Sequence, residues 1–175
     1  MLTATQKGAA GEQLLAASVT LSSDGDLELF KPITDDDHTD VTAGRRGQVP
    51  ALAIQVKTAF STDRKGHAVA RMYFPRTPRE HPAFMYAIVY VIDASIETAW
   101  LVPSADFNRM TYRGKGPKGR GIELQFMARP SRTDKWSRFR VARLETGPRF
   151  LTIIDALPVV KVPRVAGAHF LLRRT

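Results

Sequence analysis

Apolar positions along this chain fall mostly into short blocks with a two-residue period, not into long helical stripes. Residues 27–32 alternate and predict a first strand after the turn at 22–25. Residues 40–43 and 51–58 predict two more, joined by a basic, glycine-containing connection. If that hairpin closes around 44–51, Ala43 faces Leu52 and Asp40 faces Gln55. A fourth strand is expected over 68–74, after a loop at 61–66, and Pro75, Pro78 and Pro82 punctuate the connection that follows. Residues 84–92 are continuously apolar, as in a buried central strand, and 97–103 form its partner across the turn at 93–95. Ile122, Leu124 and Phe126 alternate in a further strand over 121–127.

Helical signals are fewer. Thr3 and Gln6 have capping-box spacing ahead of an Ala- and Leu-rich segment reaching Ala17. Ser104 is expected to cap a short helix ending at Met110. Residues 148–157 place Phe150, Leu151, Ile153, Ile154 and Leu157 on the inner side of a C-terminal helix, and 168–172 add a strand or helical turn. These elements predict an α/β fold, a mixed central β-sheet flanked by helices in the order α-β-β-β, then further strands. The length suits one domain over 1–175, with a core over 1–110 and a basic extension over 111–175 packed on it.

The breaks in the pattern carry the candidate chemistry. Gln55 and Lys57 interrupt an otherwise apolar strand and point to the same face, where two polar heads are costly unless satisfied. Asp40, fifteen residues before Gln55, can meet them across the hairpin. A carboxylate and an amide oxygen suit Mg²⁺, which takes oxygen ligands and retains waters. A nearby ammonium can polarise an attacking water and offset phosphorane charge. One further acid is expected, and Glu12 on the first helix offers it. Gly8 and Gly11 in that helix each cost about 1 kcal/mol relative to Ala, which close approach to a sheet would explain. The bland alternatives are an edge strand's solvent face for Gln55 and Lys57, an exposed helix acid for Glu12, and an Asx-turn for Asp40.

The series Gly8-x-x-Gly11-Glu12 on a helix, Asp40-Val41-x-Ala43, then Ile54-Gln55-Val56-Lys57 resembles the PD-(D/E)XK nuclease superfamily. It is similar to Mrr-type restriction endonucleases in having Gln at the D/E position. It is similar to Holliday-junction resolvases in its Glu-bearing first helix, and to small bacterial proteins with both features. The resemblance implies a restriction-endonuclease-like core and Mg²⁺-dependent (or Mn²⁺-dependent) endonucleolytic hydrolysis of DNA. It makes Asp40 the motif aspartate, Gln55 the D/E residue and Lys57 the motif lysine. Glu12 then completes a metal site with Asp40 and Gln55. A homodimer is expected on the same ground. The alternatives in function are an inactive nucleic-acid-binding protein of this fold, or a protein-interaction component of a defence or mobile-element system.

Charge fits a DNA partner. The net charge is +9, yet residues 1–60 hold five basic and eight acidic side chains while 109–149 hold twelve basic and three acidic. The Gly-rich run 113–121 lacks the Gly-Lys-Ser/Thr of a Walker A loop and suggests a mobile arm along the phosphate backbone. Arg113, Lys115, Lys118 and Arg120, with Lys7, are the candidate DNA-binding cations. Trp136 and Phe139 sit among basic residues and read more as core anchors than as base-stacking groups. His38 lies two residues before Asp40, within reach of a metal or phosphate, but more simply begins a strand. Absence of cysteine excludes disulfides and Cys-ligated zinc, and no Gly-x-Ser-x-Gly elbow is present. No secretory pattern opens the chain, and the longest apolar run, 83–92, falls short of the ~20 residues of a membrane span. A cytoplasmic protein without a membrane partner is expected.

Overall fold

The computed structural model of the protein describes residues 2–33, 38–48 and 52–158. The expected element at 168–172 and the strand start at Ala51 lie outside these residues. Helix α1 (Ala4–Ser22) opens on the expected capping box: Gln6 N–H donates to Thr3 Oγ1 at 3.2 Å and Thr3 N–H to Gln6 Oε1 at 2.9 Å. It continues past Ala17 because Val19 extends the buried stripe of Gly11 and Leu15. Strands β1 (Leu27–Phe30), β2 (Val41–Arg45), β3 (Leu52–Ala59), β4 (Ala68–Phe74), β5 (Phe84–Ile92) and β6 (Ser95–Pro103) follow. Then come α2 (Ser104–Met110), β7 (Tyr112–Lys115), β8 (Ile122–Ala128), β9 (Arg140–Ala142) and α3 (Thr146–Asp155).

The architecture is mixed α/β. A six-stranded sheet runs β1-β2-β3-β5-β6-β9, and a three-stranded sheet runs β4-β8-β7. In the larger sheet β3 and β5 are parallel and the other neighbours antiparallel. Parity along β3 sorts its side chains. Leu52, Ile54 and Val56 join Leu15 and Val19 of α1 and Phe150 and Ile154 of α3 in one core. The opposite face packs Tyr86, Ile88 and Trp100 against the small sheet and Phe107 of α2. Trp136 and Phe139 belong to this second core and are buried, as expected of anchors.

Two expectations change at the periphery. Residues 113–121 are not a free arm: Tyr112–Lys115 pairs with β8, and a 3-10 turn (Pro117–Gly119) closes the hairpin. The glycines permit this packing, since a Cβ on Gly116 would lie 2.1 Å from the Tyr73 ring and one on Gly121 2.4 Å from the Phe74 carbonyl oxygen. Ser104 does not cap α2, because it is the helix's first residue and its buried hydroxyl is taken by the His81 backbone, accepting from N–H and donating to C=O at 2.9 Å each. The segment expected as an extension supplies β7 and β8 to the small sheet and β9 to the large one.

Candidate active site

The β2–β3 ladder pairs Ala43 with Leu52 and Val41 with Ile54, the register expected from sequence. One further step would set Asp40 opposite Gln55. Instead the Asp40 amide donates to the Ile54 carbonyl at 2.9 Å, and its carboxylate Oδ2 accepts from Val56 N–H at 2.7 Å. β3 outruns β2 at this point, so the Val56 amide lacks a β2 carbonyl and the Asp40 side chain replaces it. The two bonds bracket Gln55 and bring Asp40 to it across the end of β2.

Gln55 and Lys57 pair in register with Tyr86 and Ile88 of β5, so both project to the face opposite α1. Gln55 is only 4% exposed, and its Oε1 has no hydrogen-bond partner among the described residues. Ser23, Ser104 and Thr146 engage their hydroxyls, whereas Gln55 Oε1 shares its lack of a partner with Thr58 Oγ1 and the indole nitrogens of Trp100 and Trp136. Lys57 is half-buried, and its ammonium has no ion-pair or hydrogen-bond partner among the described residues. The Tyr86 hydroxyl beside them is also unpartnered, and burial pushes its pKa up against the opposing pull of the Arg79 charge. A bare amide oxygen and, two residues on, an unpaired ammonium thus leave one face of β3 beyond the end of β2, with the Asp40 carboxylate hydrogen-bonded to the intervening Val56 amide. Such a donor set suits an oxygen-seeking cation with a phosphate.

Glu12 is placed differently. It forms an ion pair with Lys31 Nζ at 2.8 Å, just beyond the end of β1. α1 packs on the even-numbered face of β3, where Gly11 meets Thr58, whereas Gln55 and Lys57 leave from the other face. Among the described residues no three His, Asp or Glu side chains come together as a metal cluster. Gly11, not Gly8, makes the close approach: a Cβ there would lie 1.7 Å from Thr58 Oγ1, while nothing lies within 4 Å of one at Gly8. His38 turns its ring edge-on to Phe74 at 5.4 Å. Lys7 stands 5.8 Å over the Phe60 ring.

The hairpin cations gather near the same end as Asp40. Lys115 pairs with Ile122, Ile122 pairs with Phe74, and Phe74 carries the His38 contact. Arg113, Lys115, Lys118 and Arg120 have no acidic partner among the described residues. Other basic residues of this half are committed to the scaffold. Asp106 receives Arg109 and, at 2.9 Å, Arg138, and Arg140 donates to the carbonyls of Arg129, Pro130 and Arg132. Sequence reasoning missed Arg79, whose Nη1 donates to Thr39 Oγ1 at 3.4 Å, one residue from Asp40.

No family model matches the chain, and no curated protein matches it. Among solved structures it is similar to a bacterial homing endonuclease, I-Ssp6803I. The TM-score is 0.52 and the sequence identity 15%, over 84% of this chain and 92% of that one. No described helix is long and apolar enough to cross a membrane. At this identity the likeness establishes the fold: the chain is built on a nuclease-like α/β scaffold.

Proposed function

We propose that this protein is a metal-dependent endonuclease of PD-(D/E)XK type that hydrolyses DNA phosphodiester bonds at Asp40, Gln55 and Lys57. The observation that carries the reading is the buried, partnerless Oε1 of Gln55 beside the Asp40 carboxylate. Leaving such an acceptor unsatisfied costs about 1–3 kcal/mol, which a cation bound there would offset. Asp40 and Gln55 would hold Mg²⁺, or Mn²⁺ in its place, which when bound supplies charge neutralisation at the phosphate and a water of lowered pKa. Asp40 is oriented for this by the Val56 amide, which fixes one oxygen and steers the other. Lys57 donates from the same face to a non-bridging phosphate oxygen or to the attacking water, and its charge acts where negative charge develops. Glu12 joins the ligand set only by giving up Lys31. The Arg113–Arg120 hairpin tracks the flanking backbone.

The Glu12–Lys31 pair favours a second reading, a protein that binds DNA on this scaffold without turnover. Incubating supercoiled and branched DNA with wild-type protein and Lys57→Ala in Mg²⁺, Mn²⁺ or EDTA separates the two. The enzyme reading expects cleavage with either metal and none in EDTA. It also expects Lys57→Ala to lower kcat by about 10²-fold or more, with DNA affinity nearly intact. Undiminished cleavage by the variant removes the site. DNA binding by the wild type without cleavage in any metal leaves the second reading standing.

A further inference from the structure

The Pro-punctuated connection between β4 and β5 carries a cation that neither sequence motif nor charge run singles out. Arg79 is exposed, yet its guanidinium is held. It lies 4.7 Å over the ring of the buried Phe84, and its Nη1 reaches Thr39 Oγ1. Its own carbonyl accepts from Asn108 Nδ2 of α2 at 3.1 Å, which pins the backbone as well. No carboxylate pairs with it among the described residues. A guanidinium offers five donors in a planar fork, and the Thr39 contact uses one of them.

Its placement gives those donors a target. Thr39 immediately precedes Asp40, and Phe84 belongs to the face that Tyr86 shares, so the fork stands next to Asp40 on the side from which Gln55 projects. Phe84, whose ring it covers, stands two residues before Tyr86 on β5, and Tyr86 pairs in register with Gln55. An ion pair would neutralise a purely structural arginine, whereas stacking on an aromatic ring and one hydroxyl contact orient the group and keep its charge available.

We propose that Arg79 is a phosphate-binding residue of the site, presenting its guanidinium fork to a DNA backbone phosphate seated beside Asp40. This rests on the nuclease-site reading for the identity of the ligand, but binding alone tests it. Removing one phosphate-binding cation lowers the slope of log K against log[salt] on duplex DNA by about 0.9, whether or not the DNA is cut.

The experiment is fluorescence anisotropy of a labelled duplex in EDTA, from low to moderate salt, with wild type, Arg79→Ala and Arg79→Lys. A thermal melt of each checks the fold. Arg79→Ala is expected to lose about 0.9 of the salt slope and Arg79→Lys to restore most of it, since a point charge still releases a counterion. If Arg79 merely covers Phe84, both variants shift the melt and leave the slope where it was, and the proposal falls. Equal slopes with wild-type cleavage intact overturn Arg79 alone. A slope lowered in Arg79→Ala by a protein that never cleaves supports the phosphate contact while the nuclease reading fails. A wild-type protein that does not bind DNA overturns both.

Discussion

Replacing Gln55 by Met should make the protein more stable and inactive. Met has nearly the reach of Gln, fits irregular apolar surroundings, and leaves no polar atom behind. The native side chain is 4% exposed on a face shared with Tyr86 and Ile88, and its Oε1 finds no partner among the described residues. An acceptor buried without a protein partner carries a penalty of about 1–3 kcal/mol that Met does not incur. For a domain of this size each kcal/mol moves Tm by about 2–4 °C, so an upward shift of several degrees is expected. Differential scanning calorimetry on metal-free protein measures it, alongside a cleavage assay in Mg²⁺. Saturating metal should narrow the gap, because an ion that binds only the native wild type stabilises it and not the variant. A Tm lowered in Gln55→Met would mean that the amide is satisfied and structural, and the case for Gln55 as a metal ligand would collapse.

The remaining expectations are shorter. Asp40→Asn keeps an acceptor for the Val56 amide but discards the charge, so the fold should survive while Mg²⁺ binding weakens by calorimetry; an unchanged isotherm places the metal elsewhere. Glu12→Gln, whose acid is engaged by Lys31, should be the milder of the two. Alanine at Lys115, Lys118 and Arg120 together should lower the DNA salt slope by about 0.9 for each of these cations that meets a phosphate. Cleavage at saturating DNA should persist if the hairpin only tethers substrate, and an unaltered slope would show the hairpin to be merely solvated. Gly11→Ala should destabilise by about 1–3 kcal/mol in chemical denaturation, because its Cβ would drive into Thr58. Gly8→Ala meets nothing within 4 Å and should stabilise by about 0.5–1 kcal/mol; similar effects at the two sites would contradict the packing of α1.

What could be read from sequence was local. Thr3 and Gln6 declare the start of α1 at a distance of three residues, and the period of two declares the strands. The β2–β3 register followed from a short hairpin with one apolar face. What could not be read depends on distant partners. β7 looked like a loop because its glycines and cations have low strand propensity, and only pairing with β8 beneath Tyr73 makes it a strand. The two glycines of α1 are equivalent in sequence, and only Thr58, some fifty residues on, distinguishes them. Ser104 has cap chemistry, but the His81 backbone claims it first. Arg79 belongs to no motif, and its meaning comes from Thr39, forty residues earlier.

The separation of charge along the chain is resolved by one ladder. The acidic first third holds Asp40, and the basic segment after residue 109 holds the hairpin, a long way off in sequence. β4 follows β3 closely, since the loop after β3 is short, and it pairs with β8 along its whole length from Ala68↔Ala128 to Phe74↔Ile122. The last of these pairs sets the base of the cationic hairpin beside Phe74, against which His38 lies on the approach to Asp40. Arg79 then joins from the following connection. Of the twelve basic residues in 109–149, those that Asp106 and the backbone carbonyls engage are spent on the scaffold. The cations without acidic partners among the described residues include those of the hairpin and Arg79. A sheet whose sole task was stability would gain by pairing or burying these charges, and would gain again by exchanging Gln55 for a hydrocarbon. Cations without acidic partners on the small sheet and the β4–β5 connection, and an unsatisfied acceptor on β3 of the large sheet, are what the proposed polyanionic substrate would require.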